Sequence, residues 1–188
     1  MTSETIISIF LGIGLAASAG FRVFLPLFVL SLSAYFNVLN LADNWEWIGS
    51  IAALITLGVA MLLEVFAYYI PFIDNLLDTI AVPLAAIAGT TVMVSTVADL
   101  SPIVTWSMAI IAGGGTATLF KSASAGTRLT SSATTAGLGN PIVSTVETGG
   151  SFMLAIISIF IPILAIVLVI IILLLIYWFY KKLRVRSN

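Results

Sequence analysis

The sequence predicts an all-α, polytopic integral membrane protein, and three observations carry that expectation. Of 188 residues, seven are Lys or Arg and eight are Asp or Glu, only 8% of the chain, where a soluble domain carries about 25%. Hydrophobic residues make up 61% and mean hydropathy is +1.21, more apolar side chain than a soluble fold of this size can hide. The charges also leave long intervals empty: 5–21, 23–42, 47–63, 79–98, 100–120, 129–146 and 148–180. As a helix, about 20 apolar residues cross the hydrocarbon core. A barrel would show short alternating segments instead.

Segment 5–36 is too long for one simple span and too short for two. Ala17-Ser18-Ala19-Gly20-Phe21-Arg22 sits at its middle and Pro26 follows, which predicts a broken or re-entrant helix. Residues 48–69 form an ordinary span, entered by Trp45 and Trp47 and closed by Tyr68, Tyr69 and Pro71. Residues 80–98 form another, ended by Asp99 and Pro102. Segment 103–146 repeats the shape of the first, with Ala123-Ser124-Ala125-Gly126-Thr127-Arg128 at its middle. Ala-Ser-Ala-Gly-x-Arg thus occurs twice, 106 residues apart. Gly113-Gly114-Gly115, just before the second copy, lets a helix bend or another backbone approach. Residues 152–180 form the last span, kinked at Pro162 and ending in the aromatic belt Tyr177, Trp178 and Tyr180.

About three full spans plus two broken or re-entrant hairpins follow, all in one domain, 1–188. The tail, 181–188, carries Lys181, Lys182, Arg184 and Arg186. By the positive-inside rule it is cytoplasmic, which puts Glu147 on the far side. Glu4, with no early Lys or Arg, argues against a cleavable signal peptide. Two hairpins separated by two spans run parallel; an odd count of crossings would make the repeats inverted, and the sequence leaves both open.

Absences narrow the chemistry. Without Cys there is no disulfide, thiolate nucleophile or Cys-based metal site. Without His the usual general base and commonest metal ligand are missing. A net charge of −1 provides no field to steer nucleic acid. No cofactor is expected, and no enzyme. Asp74 and Asp78 do match the Asp-x-x-x-Asp spacing of magnesium–diphosphate sites in membrane prenyltransferases, but those enzymes use more acids and more spans.

The candidate site residues follow from charge placement. Ahead of the tail the only cations are Arg22, Lys121 and Arg128, and an Arg in an apolar segment costs several kcal/mol unless paired. Broken helices with small residues at the break are how many transporters bind anions, since half-helix N-termini offer free N–H groups. Arg22 and Arg128 are therefore expected to bind an anion, with Lys121, Ser18, Gly20, Ser124, Gly126, Thr134, Thr135 and Asn140 beside them. From Ser122 to Thr135 there are eight Ser or Thr residues, which must pack in protein or line a wet cavity. Glu64, inside a span, and the pair Asp74 and Asp78, four apart on one helix face, are candidates for proton or cation coupling. The structural alternative pairs each Arg with Glu64 or Glu147 and makes Asp74 a cap.

Gly14-Leu15-Ala16-Ala17-Ser18-Ala19-Gly20-Phe21-Arg22 with Pro26, and Ser132-Ala133-Thr134-Thr135-Ala136-Gly137-Leu138-Gly139-Asn140-Pro141, resemble a bacterial family of small integral membrane proteins catalogued as a domain of unknown function. The resemblance covers nearly the whole chain. It implies the bacterial inner membrane and brings no residue roles. The expected function is a transporter or flippase for an anionic substrate such as a phosphate-bearing lipid, with proton or cation coupling. A channel or pore-forming oligomer and a non-catalytic membrane scaffold are the alternatives. Expected partners are membrane lipids, an anionic small molecule or lipid, and further copies of the chain.

Overall fold

A computed structural model describes residues 2–186, with side chains for all of these except 71, 72, 75, 179, 180 and 183–186. The expected belt residue Tyr180 and the tail side chains past Lys182 lie outside the described set. The described residues are all-α: α1 (Ser3–Phe21), α2 (Phe24–Tyr35), a 3-10 helix (Asp43–Gly49), α3 (Ile51–Ala67), α4 (Pro71–Thr96), α5 (Pro102–Met108), a π-helical turn (Ala109–Gly114), α6 (Gly115–Thr135), α7 (Asn140–Phe160) and α8 (Pro162–Arg186). Ser3–Phe21, Leu76–Thr96, Pro102–Thr135 and Asn140–Phe160 are each long and apolar enough to cross a membrane. The 3-10 helix and α3, bent by 64°, make a fifth candidate span. The chain is a multi-pass membrane protein.

The helix directions follow from which residues meet. Position 12 of α1 faces Met93 and Thr96 of α4, while Ala19 packs with Ala85 and Ala88, so α1 and α4 are antiparallel. Gly89 meets Gly113 and Ala117, and Gly114 lies against Thr90 and Ala86, so α4 and α6 are antiparallel and α1 runs parallel to α6. The two Ala-Ser-Ala-Gly-x-Arg copies therefore point the same way. α7 opposes α1, with Ser158 beside Gly14 and Ser151 bonded to Ser18. Small residues make these approaches possible: a Cβ at Gly113 would sit 2.5 Å from the Gly89 carbonyl oxygen, so helix backbones touch where a side chain would hold them apart.

The first broken segment has a direct cause. Pro26 has no N–H for the Arg22 carbonyl, and its ring would clash with that carbonyl in a continuous helix. Accordingly α1 stops at Phe21 and Arg22 is extended at φ −137°. α2 then folds back, and Leu11 and Leu15 of α1 share a core with Leu25, Val29 and Leu30 of α2.

The second copy behaves differently from the expectation. Residues 123–128 lie inside the uninterrupted helix α6, because no proline follows within a turn. The break comes later, at Ala136–Gly139, where Ala136 and Gly137 adopt φ 51° and 86° and Pro141 opens α7. A left-handed Ala is strained where Gly is not. Ala136→Gly is therefore expected to stabilise the protein by about 0.5–1 kcal/mol, read as a higher melting midpoint in detergent.

The segment expected as one kinked span, 152–180, is two helices. α7 ends at Phe160, Ile161 leaves the helix at φ −139°, ψ 67°, and Pro162 begins α8, a position where its missing N–H costs nothing. Ser158 and Ala165 both face Gly14, and Leu154 and Val169 share one core, so α8 returns alongside α7. Leu175, Ile176 and Trp178 accordingly line a groove with Thr130, Ile142 and Val143. Glu147 thus lies toward the end of the bundle where the tail leaves, not at the opposite end.

Candidate functional site

Where α1, α3, α4, α6 and α7 converge, the sequence buries six charged side chains, Arg22, Glu64, Asp74, Lys121, Arg128 and Glu147, around one aromatic ring. Tyr68 follows α3 and is 3% exposed. It belongs to this cluster, not to an interfacial aromatic belt. The Arg22 and Arg128 guanidinium carbons lie 4.2 and 4.4 Å from its ring centroid and Lys121 Nζ lies 4.9 Å away. Lys121 Nζ also donates to the Tyr68 hydroxyl at 3.1 Å. Ring faces attract cations most strongly where water is excluded, and this ring receives all three cations that precede the tail.

Carboxylates balance them. Arg128 pairs with Asp74 through Nη1 and with Glu147 through Nη2, and its Nε donates to Glu147 at 3.2 Å. Arg22 reaches the same Glu147 at 3.7 Å, while its Nε donates to Thr148 and its Nη2 to the Ser144 carbonyl. Ser144 joins the two arginines, because its hydroxyl accepts from Arg128 Nη2 and donates to the Tyr68 carbonyl. Asn140 donates to the other oxygen of Asp74 and to Ser132, and Ser124 donates to Glu147. Connected networks of this kind are rigid, and an unpaired member is costly.

The two repeat copies grip one helix. Ser18 and Ser151 exchange hydroxyl-to-carbonyl bonds at 2.8 and 3.0 Å, and Arg22 follows one turn later on Ser144 and Thr148. In the second copy Ser124 and Arg128 both hold Glu147. Equivalent Ser and Arg positions of parallel helices thus clasp α7 from two sides. Gly20 is a packing position: a Cβ there would fall 2.3 Å from that of Phe120.

Three atoms in the cluster, although buried, lack a hydrogen-bond partner among the described residues: Arg22 Nη1, Asp78 Oδ1 and Asn140 Oδ1. Arg22 is 0% exposed, so no bulk water reaches it, and leaving a buried donor unmade costs about 1–3 kcal/mol or more for a charged group. One unfilled donor and two unfilled acceptors leave hydrogen-bonding capacity in the network unused.

Not every expected site residue joins. Gly126, Thr134 and Thr135 face away, into a groove of about 810 Å³ between α6, α7 and α8. The hydroxyls of Thr127, Thr130, Thr134 and Thr135 donate to the carbonyl four residues earlier, which satisfies them without a wet cavity. Asp74 is committed to Arg128 and Asn140, and no group of three described acids is arranged to hold a metal ion. Glu64 accepts from the Val23 and Phe24 amides at 2.7 and 2.9 Å, which caps α2 from another helix.

Sequence reasoning gave Glu147 only as one possible partner for an arginine, and gave Ser144, Thr148 and Ser151 no role. A signal exists: Asn140, Ser144, Glu147, Ser151 and Ser158 recur at helical spacing and make a polar stripe along an otherwise apolar segment. Tyr68 has no comparable signal, since aromatic residues at span ends are ordinary.

No curated protein and no solved structure matches the chain. A family model described as "Domain of unknown function (DUF4126)" matches residues 9–182, taking in every helix that builds the cluster, and the chain belongs to that family.

Proposed function

We propose that the protein is a transporter or flippase for an anionic, phosphate-bearing substrate in the bacterial inner (plasma) membrane, with its basic tail cytoplasmic. The observation that carries this reading is the unfilled Arg22 Nη1 donor, fully buried beside a second arginine that shares its counter-ion. Two guanidinium groups on one carboxylate leave capacity for one more acceptor, and guanidinium donors suit phosphate oxygens. An arriving anion competes with Glu147 for both arginines. If Glu147 takes up a proton as it yields, substrate and proton movements are coupled. Membrane lipids surround the exposed apolar faces of the bundle.

Native mass spectrometry of gently extracted protein tests this. Wild type is expected to carry a phosphate-containing adduct, and Arg22→Gln to lose it while remaining folded, because Arg128, Asp74 and Glu147 still pair. Identical adducts in both, or none in either, would remove the support. One observation favours a structural role instead: Arg128 is already bonded to two acids and a serine. A purely structural cluster predicts that Arg22→Gln lowers stability with no change in bound ligand.

A further inference from the structure

Glu64 stands apart from the other buried carboxylates. Asp74 and Glu147 sit on arginine, whereas both oxygens of Glu64 rest on backbone amides, those of Val23 and Phe24 at the start of α2. α2 has no side-chain cap of its own, so a carboxylate from α3 occupies the place where a helix N-terminus favours an anion. The residue before those amides is Arg22, with its unfilled donor.

Beside Glu64 lies a fissure of about 350 Å³ between α3 and α4, lined by Phe24, Leu63, Leu77, Ala81 and Leu84. Glu64 and Tyr68 are its polar lining, and Tyr68 is the ring that carries all three cations. Glu64 and Tyr68 therefore stand between the fissure and the charge cluster. Its outer wall is loosely held: α3 packs chiefly on α2 and the 3-10 helix, and Leu62, Leu63 and Phe66 are exposed to what is bilayer in the native setting.

We propose that the fissure admits an anionic amphiphile laterally from the bilayer, chain between α3 and α4, with its phosphate displacing Glu64 from the Val23 and Phe24 amides. This rests on the anion-transport reading above and adds to it a route, a chain site and an exchangeable occupant. Glu64 is then a tethered substitute for the substrate's anionic group. The displaced carboxylate neutralises itself by taking up a proton, with no other bond made or broken. The charged and titratable groups around it are Arg22 at the end of α1, Tyr68 after α3 and Lys121 on α6, with Asp78 of α4 facing Tyr68. An apolar chain and a charged head require this kind of site, dry along its length and donor-rich at its floor.

The test is binding of dioleoyl phosphatidic acid, dioleoyl phosphatidylcholine and inorganic phosphate to full-length protein in detergent at neutral pH, by native mass spectrometry and thermal shift. Phosphatidic acid is expected to bind wild type in preference to phosphatidylcholine. Glu64→Gln, which removes the competing charge, should tighten phosphatidic acid binding by about tenfold. Ala81→Trp, filling the fissure, should abolish lipid binding and leave inorganic phosphate binding intact. Leu63→Trp at the exposed mouth does the same without burdening the core, should Ala81→Trp fail to fold. If inorganic phosphate binds and depends on Arg22, but phosphatidic acid binds no better than phosphatidylcholine or ignores both tryptophans, the fissure proposal falls and anion transport stands. If neither phosphate nor lipid binds, both fall.

Discussion

Arg128→Ala is expected to prevent stable folding. The substitution strands Asp74, 1% exposed, as a buried carboxylate without its cation and leaves Glu147 only Arg22, at 3.7 Å, and breaking a buried pair from one side costs about 3–5 kcal/mol. Asp74 loses its cation and Glu147 the nearer of its two, so the loss falls at the upper end. The cost arises from the stranded charges, not from the missing side chain. Neutralising the acid that is left without a cation as well, Asp74→Asn with Arg128→Gln, leaves Glu147 to Arg22 and should restore part of the stability. Monodisperse elution after heating in detergent distinguishes the two. If Arg128→Ala alone elutes and melts like wild type, the cluster does not hold the fold.

Gly113→Val should cost about 3 kcal/mol or more, at the high end of overpacking effects. The built Cβ lies 2.5 Å from the Gly89 carbonyl oxygen and 2.9 Å from the Met93 Cβ. Backbone cannot rotate away as a flexible side chain can, so α4 and α6 must separate. That separation reaches the site, since α4 brings Asp74 and α6 brings Lys121 and Arg128. Gly115→Val, two residues on, meets nothing within 4 Å and should be neutral or stabilise by about a few tenths of a kcal/mol, since Val is the better helix former. The pair, compared by melting midpoint, separates close approach from general helix disturbance.

How far the sequence was legible depended on which residue marked each boundary. Charges in apolar segments were informative because burial forces them to find partners: Arg22, Lys121, Arg128, Glu64 and Asp74 lie in one region, though chain order does not reveal which meets which. Helix ends were legible where a proline stood, as Pro26 shows. They failed where composition alone was the guide. The 148–180 interval contains no charge and is apolar from 159 onward, so nothing in the periodicity around Pro162 distinguishes one kinked span from two helices packed back to back. Pro162 marked the place but not the angle. The second Ala-Ser-Ala-Gly-x-Arg copy misled for the opposite reason: small residues permit a break without requiring one, and threonines that bond their own helix backbone let α6 continue.

The length of that helix carries one more consequence. From Pro102 to Thr135 the chain winds through 34 residues without interruption, about 51 Å at 1.5 Å per residue. The hydrocarbon layer is about 30 Å thick and helices tilt by at most about 40°, which shortens the vertical reach only to about 39 Å. Roughly 9 Å must therefore stand outside the oil whatever the tilt. Of its two ends, the one holding Thr130, Ser131, Ser132, Thr134, Thr135 and the Ala136–Gly139 turn is the more polar by far. Positive mismatch thus lifts the hydroxyl-rich stretch into the headgroup layer, where lipid phosphates and water meet it directly.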